Sequence, residues 1–588
     1  MSKIFKTSLN NVKDRVSIAT GAKKADLVFK NAKYVNLFTE EICKADIAIC
    51  RSHIVGIGNY DGEIEIDCTN KILIPSFIDS HMHLESAMIS PRSFRDIVVP
   101  HGTCAVIADP HEIANVAGID GINYILKMSE DLDLYVGVMI PSCVPSTPLD
   151  ESGAILNSED IKFFYDNDRV YGLAEMMNAY GIITEDEECL KKCVDALNAN
   201  KLIDGHAPGL SGKQLNAYLT SGVSTDHECS CFEEAKEKLE KGMMIEVREG
   251  TVCKDLDALM KLFDAPYCYR SMIATDDCHP DTIVNEGHID RIVRKAIKNG
   301  AKPINAIRMA CLNPAIHYRL SHMGAIGIGY LANIIVLDDL ETIKINSCYL
   351  NGKKVSEYNK SLYKYSINNT LNKTDYKRVY YSFNLNNVTD KDFALNVHGK
   401  KQRVIEIIPG GILTKERTFD IIENANLPYG VDTERDIAKI AVVERHKATG
   451  HIGIGFINGY GIKQGAVASS IGHDSHNIIV VGVNDNDMAM AVNTIKNNNG
   501  GIAIVCNNIL LGDVRLEVAG LMTENDENYV INNLEKLKDI AYFDLGIRRD
   551  IDPFMTLAFM QLPVVPELKI IPKGLVRVND QKIIESIF

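Results

Sequence analysis

Two histidines one residue apart, His81 and His83, close the apolar run 72–83. On a strand, residues i and i+2 project to one face, so both imidazoles can reach one cation while Met82 points the other way. In a chain with 16 histidines that spacing alone is weak. Its weight comes from what closes the later apolar runs: Glu175, His206, His227 and the adjacent pair Asp276 and Asp277. The set His81, His83, Glu175, His206, His227 and Asp276 offers four imidazoles and two carboxylates. That suffices for two divalent cations with a carboxylate as bridge. A donor set without thiolate suits Mn²⁺, Fe²⁺ or Zn²⁺ rather than a structural cysteine zinc site. Water shared by two such cations has its pKa lowered toward neutrality, which makes hydrolysis at an electrophilic carbon the natural chemistry.

These residues are far apart in sequence, so a fold must gather them. Eight apolar runs, 72–83, 104–112, 134–142, 170–178, 202–206, 223–228, 243–249 and 272–277, alternate with amphipathic segments, and each ends in a polar or ionisable group. That rhythm predicts an α/β fold, a (β/α)₈ TIM barrel over 71–320, whose strands deliver their C-terminal residues to one mouth. At the second strand's end, Asp109 and Glu112 either cap the following helix or accept hydrogen bonds from substrate N–H groups and move protons. Short β-rich runs in 1–70 and again in 321–386 predict a small β-sandwich domain built from segments flanking the barrel. A polar stretch at 360–375 reads as a linker or exposed hairpin. The remainder, 387–588, is large enough for an additional C-terminal α/β domain, with a helix over 485–497 and strands over 478–483 and 501–505. Its Gly453-Ile454-Gly455 does not complete a Gly-x-Gly-x-x-Gly fingerprint, because Asn458 holds the last position.

Composition narrows the function classes. The chain has 588 residues, 46% hydrophobic and 24% charged, with a formal net charge of -15. An acidic chain with no tryptophan argues against nucleic acid and against an anionic membrane surface. No apolar stretch reaches the roughly 20 residues of a spanning helix. The opening residues lack an apolar signal core, and 15 scattered cysteines fit reduced thiols, so a cytoplasmic location is expected. Glu85 stands at a His-x-Glu spacing from His83, yet no Pro-Cys-x-x-Cys follows, which disfavours the cysteine-ligated zinc deaminases.

Several motifs resemble the amidohydrolase superfamily and, within it, the bacterial adenine deaminases. They are 75–86 around His81 and His83, 108–115 with Asp109 and Glu112, 204–210 with His206, 224–228 with His227, and 274–280 with Asp276 and Asp277. Outside the barrel, 465–477 carries His473-Asp474-Ser475-His476-Asn477, and this segment separates the chain from ring-opening amidohydrolases. The resemblance implies conversion of adenine to hypoxanthine and ammonia, a binuclear centre commonly served by manganese, and a homo-oligomer, expected as a homodimer. It leaves Glu175 as the bridge where many relatives use a modified lysine. Asp276 is expected to bind metal and take a proton from the attacking water. Asp277, Glu175, Asp109 and Glu112 are candidate proton donors. Asp109, Glu112, His473, Asp474 and His476 are candidate substrate contacts, with a second metal site or a plain hydrogen-bonded turn as other roles for the His473–His476 segment. Two other readings stay open: a cyclic amidohydrolase of the hydantoinase or dihydropyrimidinase type, and a catalytically silent relative acting as a binding subunit.

Overall fold

Apolar runs that end in charge are buried from end to end when helices cover one side and neighbouring strands fill the other. The computed structural model, which describes residues 7–365, 371–395 and 399–588, shows this at the barrel. Its eight strands are β1 (Phe77–Met82), β2 (Thr103–Ala108), β3 (Tyr135–Ile140), β4 (Val170–Met176), β5 (Leu202–Gly205), β6 (Thr225–Asp226), β7 (Met244–Arg248) and β8 (Ser271–Ala274). Strands β1 to β5 form one parallel sheet and β6 to β8 another. The ring closes where Met82 bridges Asp276 and where the Ser224 amide donates to the Ile203 carbonyl at 2.9 Å. All eight expected runs therefore carry a barrel strand.

The first run differs from expectation, because it holds two strands in two domains. Ile72–Pro75 pairs antiparallel with Ile334–Asp339 and parallel with Lys33–Asn36, inside a seven-stranded sheet. After Ser76 the hydrogen bonds change partner, the Phe77 amide donating to the Gly102 carbonyl at 2.9 Å. Apolar patterning is blind to such a change of sheet, since burial is unbroken from Leu73 through the junction to Met82. Packed on that sheet is a four-stranded one from 25–67, with Phe29, Ile47, Ile49, Ile334 and Tyr349 in the core between them. The glycine-rich stretch before Ile334 is loop rather than strand; its backbone is satisfied instead by Ile54 and Ser52. Of the expected linker at 360–375, Lys360–Ser361 is a short strand, Lys373–Tyr376 a single 3₁₀ turn, and 366–370 lies outside the described residues.

The third domain is an eight-stranded, mostly antiparallel sheet with the helix Asp485–Asn497 on one face. Its central strands, β9 (Ile437–Val443) and β10 (Ile478–Gly482), are buried at every position. Period-two alternation explains why. Ala441, Val443, Ile478 and Val480 pack with Met488, Val492 and Ile495 of the helix, while Ile440, Val442, Ile479 and Val481 join the same apolar cluster as the barrel core. No helix among the described residues is long and apolar enough to cross a membrane.

Behind the barrel mouth lies Lys569, fully buried in the strand Leu568–Ile571. Its Nζ donates to the Ile412 carbonyl at 2.7 Å and the Phe559 carbonyl at 3.0 Å. Two acceptors match the two N–H bonds of a neutral amine, and burial pushes its pKa down from 10.5 to about 7. Between those values the unfolded chain binds a proton that the folded one does not, so the contribution of Lys569 to stability improves as pH rises through that window and is worst below it. Comparing thermal midpoints of the wild type and Lys569→Met at about pH 6 and about pH 9 should show the balance moving toward the wild type at the higher pH. A pH-independent difference would contradict a neutral buried amine.

Candidate metal centre and active site

The polar ends of β1, β4, β5, β6 and β8 meet at one mouth, and Glu175 stands in the middle. Its Oε1 lies 3.9 Å from His81 Nε2 and 3.6 Å from His83 Nε2. Its Oε2 lies 2.8 Å from His206 Nδ1 and 3.2 Å from His227 Nε2. One oxygen thus faces each histidine pair, the disposition a bridging carboxylate needs. Asp276 closes the first pair, with Oδ1 at 3.1 Å from His83 Nε2 and 3.7 Å from His81 Nε2.

Backbone geometry aims these groups. The Asp276 amide donates to the His81 carbonyl at 3.0 Å, and Asp276 adopts φ +56, a left-handed conformation that aspartate tolerates better than most residues. His83 Nδ1 donates to the Asp109 carbonyl at 3.0 Å, which leaves Nε2 as the lone-pair nitrogen turned toward Glu175 and Asp276. Under the second pair, buried Lys238 donates to Asp226 at 2.9 Å and to the Ala207 carbonyl at 2.6 Å, while Asp226 accepts from the Ala207 amide at 2.8 Å. Residues adjacent to His206 and His227 are thereby tied to one buried ion pair.

The donor set fits divalent cations. His81 Nε2, the nitrogen that faces Glu175 and Asp276, is buried without a hydrogen-bond partner, an arrangement costly for an imidazole that does no further bonding. Geometrically, His81, His83 and Asp276 make one possible cation-holding group and Glu175, His206 and His227 another.

A cavity opens against this cluster. Its barrel side includes Glu112, Glu175, Asp277 and Arg248; its roof is Ile412, His473, Asp474, Phe559 and Leu562 of the third domain. Asp277 accepts a hydrogen bond from Ser86 Oγ, and burial together with the charge of Asp276 raises its pKa. Two expected contacts stand back from the cavity. Asp109 is engaged by the His111 amide and by His111 Nδ1, both at 3.0 Å. His476 lies behind Glu112 and is not among the lining residues. Glu85 caps the helix His111–Ala117, accepting from the Ile113 amide at 3.0 Å, with a pKa raised to about 7 by burial.

Residues 72–373 match the amidohydrolase family and residues 411–582 match the adenine deaminase C-terminal domain. The chain is 43% identical over 566 residues to an adenine deaminase of Clostridium acetobutylicum, spanning 96% of this chain and 98% of that one. Identity is 41% to adenine deaminase 2 of Carboxydothermus hydrogenoformans, spanning 97% and 98%, and 39% to an adenine deaminase of Ligilactobacillus salivarius, also 97% and 98%. The chain belongs to the adenine deaminase family.

Two residues of this adenine deaminase family member escaped sequence reasoning. His111 reaches into the centre, Nδ1 lying 3.4 Å from Glu175 Oε1 and Nε2 3.4 Å from Glu112 Oε1. Burial works against its charged form, but Asp109 and Glu112 outweigh it and hold its pKa well above the ordinary value. Arg248 ends β7, donating to Glu228, to Asp276 Oδ2 at 3.1 Å and, from Nε, to Asp255 at 3.0 Å. It fixes the oxygen of Asp276 that faces away from the histidines. The available signal was an arginine two residues after Glu246 within an otherwise apolar run, which places both side chains on the barrel's inner face.

Lys238 offers a test of the support beneath His206 and His227. Lys238→Met leaves Asp226 charged and unpaired in the core, and a loss of about 3–5 kcal/mol is expected in denaturant titration. Adding Asp226→Asn should recover most of it; no recovery would mean the lysine acts through packing alone.

Proposed function

We propose that this chain hydrolyses adenine to hypoxanthine and ammonia, with a pair of manganese ions held by His81, His83, Glu175, His206, His227 and Asp276. The observation that carries the reading is the two-sided placement of Glu175, one oxygen toward each histidine pair, beneath a cavity roofed by the adenine-deaminase-type domain. Divalent cations bound there supply Lewis acidity and a water nucleophile at neutral pH.

The protein's own groups handle the protons. Water delivers oxygen to C6 of the purine and the exocyclic nitrogen leaves as ammonia, so one proton must leave the water and others must reach the ring or the amine. Asp276 Oδ1 faces the histidines while Oδ2 is pinned by Arg248, which suits Oδ1 to receive the water proton. Glu175, Asp277 and Glu112 line the cavity; Asp277, whose pKa burial and the charge of Asp276 raise, is the group suited to hand a proton to the ring or the amine, and Asp109, turned toward His111, would act through that imidazole. His473 and Asp474 in the roof are positioned to touch the base.

Assembly and location belong to the same proposal. A homodimer is supported by the edge strand Ile509–Arg515, which leaves Ile509, Leu510 and Leu511 exposed to solvent. All 15 cysteines are free, which supports a reducing, cytoplasmic setting.

Chelator-treated protein reloaded with Mn²⁺, Fe²⁺ or Zn²⁺ should produce hypoxanthine and equimolar ammonia from adenine, with manganese the most effective. Full loading with no ammonia would overturn the reading and favour a ring-opening or silent relative. Asp276→Asn should lower turnover by on the order of 10²- to 10⁴-fold while leaving the thermal midpoint near that of the wild type; near-normal turnover would exclude Asp276 as the proton acceptor.

A further inference from the structure

Glu112 comes from the barrel, yet both of its oxygens are held by the third domain. Oε1 accepts from His473 Nδ1 at 2.5 Å and Oε2 accepts from His476 Nε2. All three side chains are buried. Glu112, His473 and His476 are also close enough together to hold a cation, so two roles compete: a further metal site, or a hydrogen-bonded clamp on a carboxylate.

The tautomer of His476 decides between them. The Gly472 amide lies 3.2 Å from His476 Nδ1. A backbone N–H can only donate, so Nδ1 is the acceptor nitrogen and the ring proton sits on Nε2, facing Glu112. A protonated nitrogen is no metal ligand.

The segment that presents His476 is itself built for one position. Arg445, fully buried, donates to the His476 carbonyl, to Ser382 Oγ at 3.1 Å and to the Ala519 carbonyl at 2.9 Å. Asn477 Nδ2 donates to the Glu151 carbonyl of the barrel at 2.7 Å. At Gly472 a Cβ would lie 1.5 Å from Gln561 Nε2, so this turn admits no side chain. His473 is steadied by Phe559, their rings stacked at 4.6 Å and 14°.

From this geometry we propose that His473 and His476 are positioning residues that clamp Glu112, so that the third domain serves the reaction through a barrel carboxylate rather than through a cation of its own. Oε1 of Glu112 faces both His473 and His111 Nε2, the latter at 3.4 Å, whereas Oε2 spends one lone-pair direction on His476 and keeps the other for a donor such as a purine N–H. The proposal rests on the reading that the cavity takes adenine.

A double-mutant cycle on the full-length, manganese-loaded enzyme tests it. His476→Leu removes the donor, and His476→Gln keeps an N–H near the position of Nε2. The leucine variant should lose about 10- to 100-fold in kcat with manganese per chain unchanged, and the glutamine variant should recover most of that. In a Glu112→Gln background, His476→Leu should cost nothing further, because the group it holds is already altered. Losses that multiply would overturn the clamp, and so would one manganese fewer per chain in His476→Leu. If the leucine variant does not fold, His473→Ala and His473→Asn give the same comparison at the other oxygen. If the wild type leaves adenine unchanged, the functional reading fails separately, and the cycle is read in hypoxanthine affinity by calorimetry on metal-free protein, where additive losses would again defeat the clamp.

Discussion

Glu175 can face four imidazoles at once only because the C-terminal ends of β1, β4, β5 and β6 reach the same height at the barrel mouth. A carboxylate reaching 2.8–3.9 Å in two directions tolerates little slack, since a register slip of one residue would turn it out of the barrel. Much of the surrounding structure can be understood as holding that alignment. The Asp276 amide is tied to His81, His83 is tied to Asp109, and the segments bearing His206 and His227 are tied to Lys238 and Asp226. Gathering six ionisable groups in a dry mouth is unfavourable unless they share charge, and divalent cations are what such a donor set is suited to receive.

The third domain does two jobs with one sheet. One face carries the helix Asp485–Asn497, and the other merges with the barrel core, so the roof over the cavity and the floor share one packed interior. Lys569 fixes Ile412 and Phe559 by their carbonyls, which sets the roof from behind without placing a charge in the cavity. Polar residues of the roof then reach down to Glu112.

The barrel and the cluster at its mouth were legible because each clustered residue closes an apolar strand, and strand ends are where a barrel collects its chemistry. His81, His83, Glu175, His206, His227 and Asp276 were each weak signals and gained weight only taken together, as residues that one barrel mouth would collect. What stayed hidden has a common cause: contacts between segments remote in sequence leave no periodic trace. Whether His476 faces substrate or Glu112 depends on a Gly472 amide and on a helix more than 350 residues earlier in the numbering. Likewise the division of 72–83 between two sheets is invisible, since both parts are buried and no break in burial marks the junction. Arg248 left a clue, a cation inside a buried strand, but its partners Glu228, Asp255 and Asp276 become evident only in three dimensions.

The junction at Ser76 has a consequence for how the chain is made. Pro75 pairs with Ile334, and after the single residue Ser76 begins the strand that carries His81 and His83. On the ribosome the early half of the sandwich sheet must wait for roughly 260 further residues, about 13 to 50 s of synthesis at typical rates, before its missing partner emerges. During that interval the edge of Ile72–Pro75 is open to pairing with other chains, and the strand that carries His81 and His83 has no anchor at its start. Arrival of Ile334–Asp339 closes the edge and secures that strand in one event, so a nascent chain interrupted before this point would lack both.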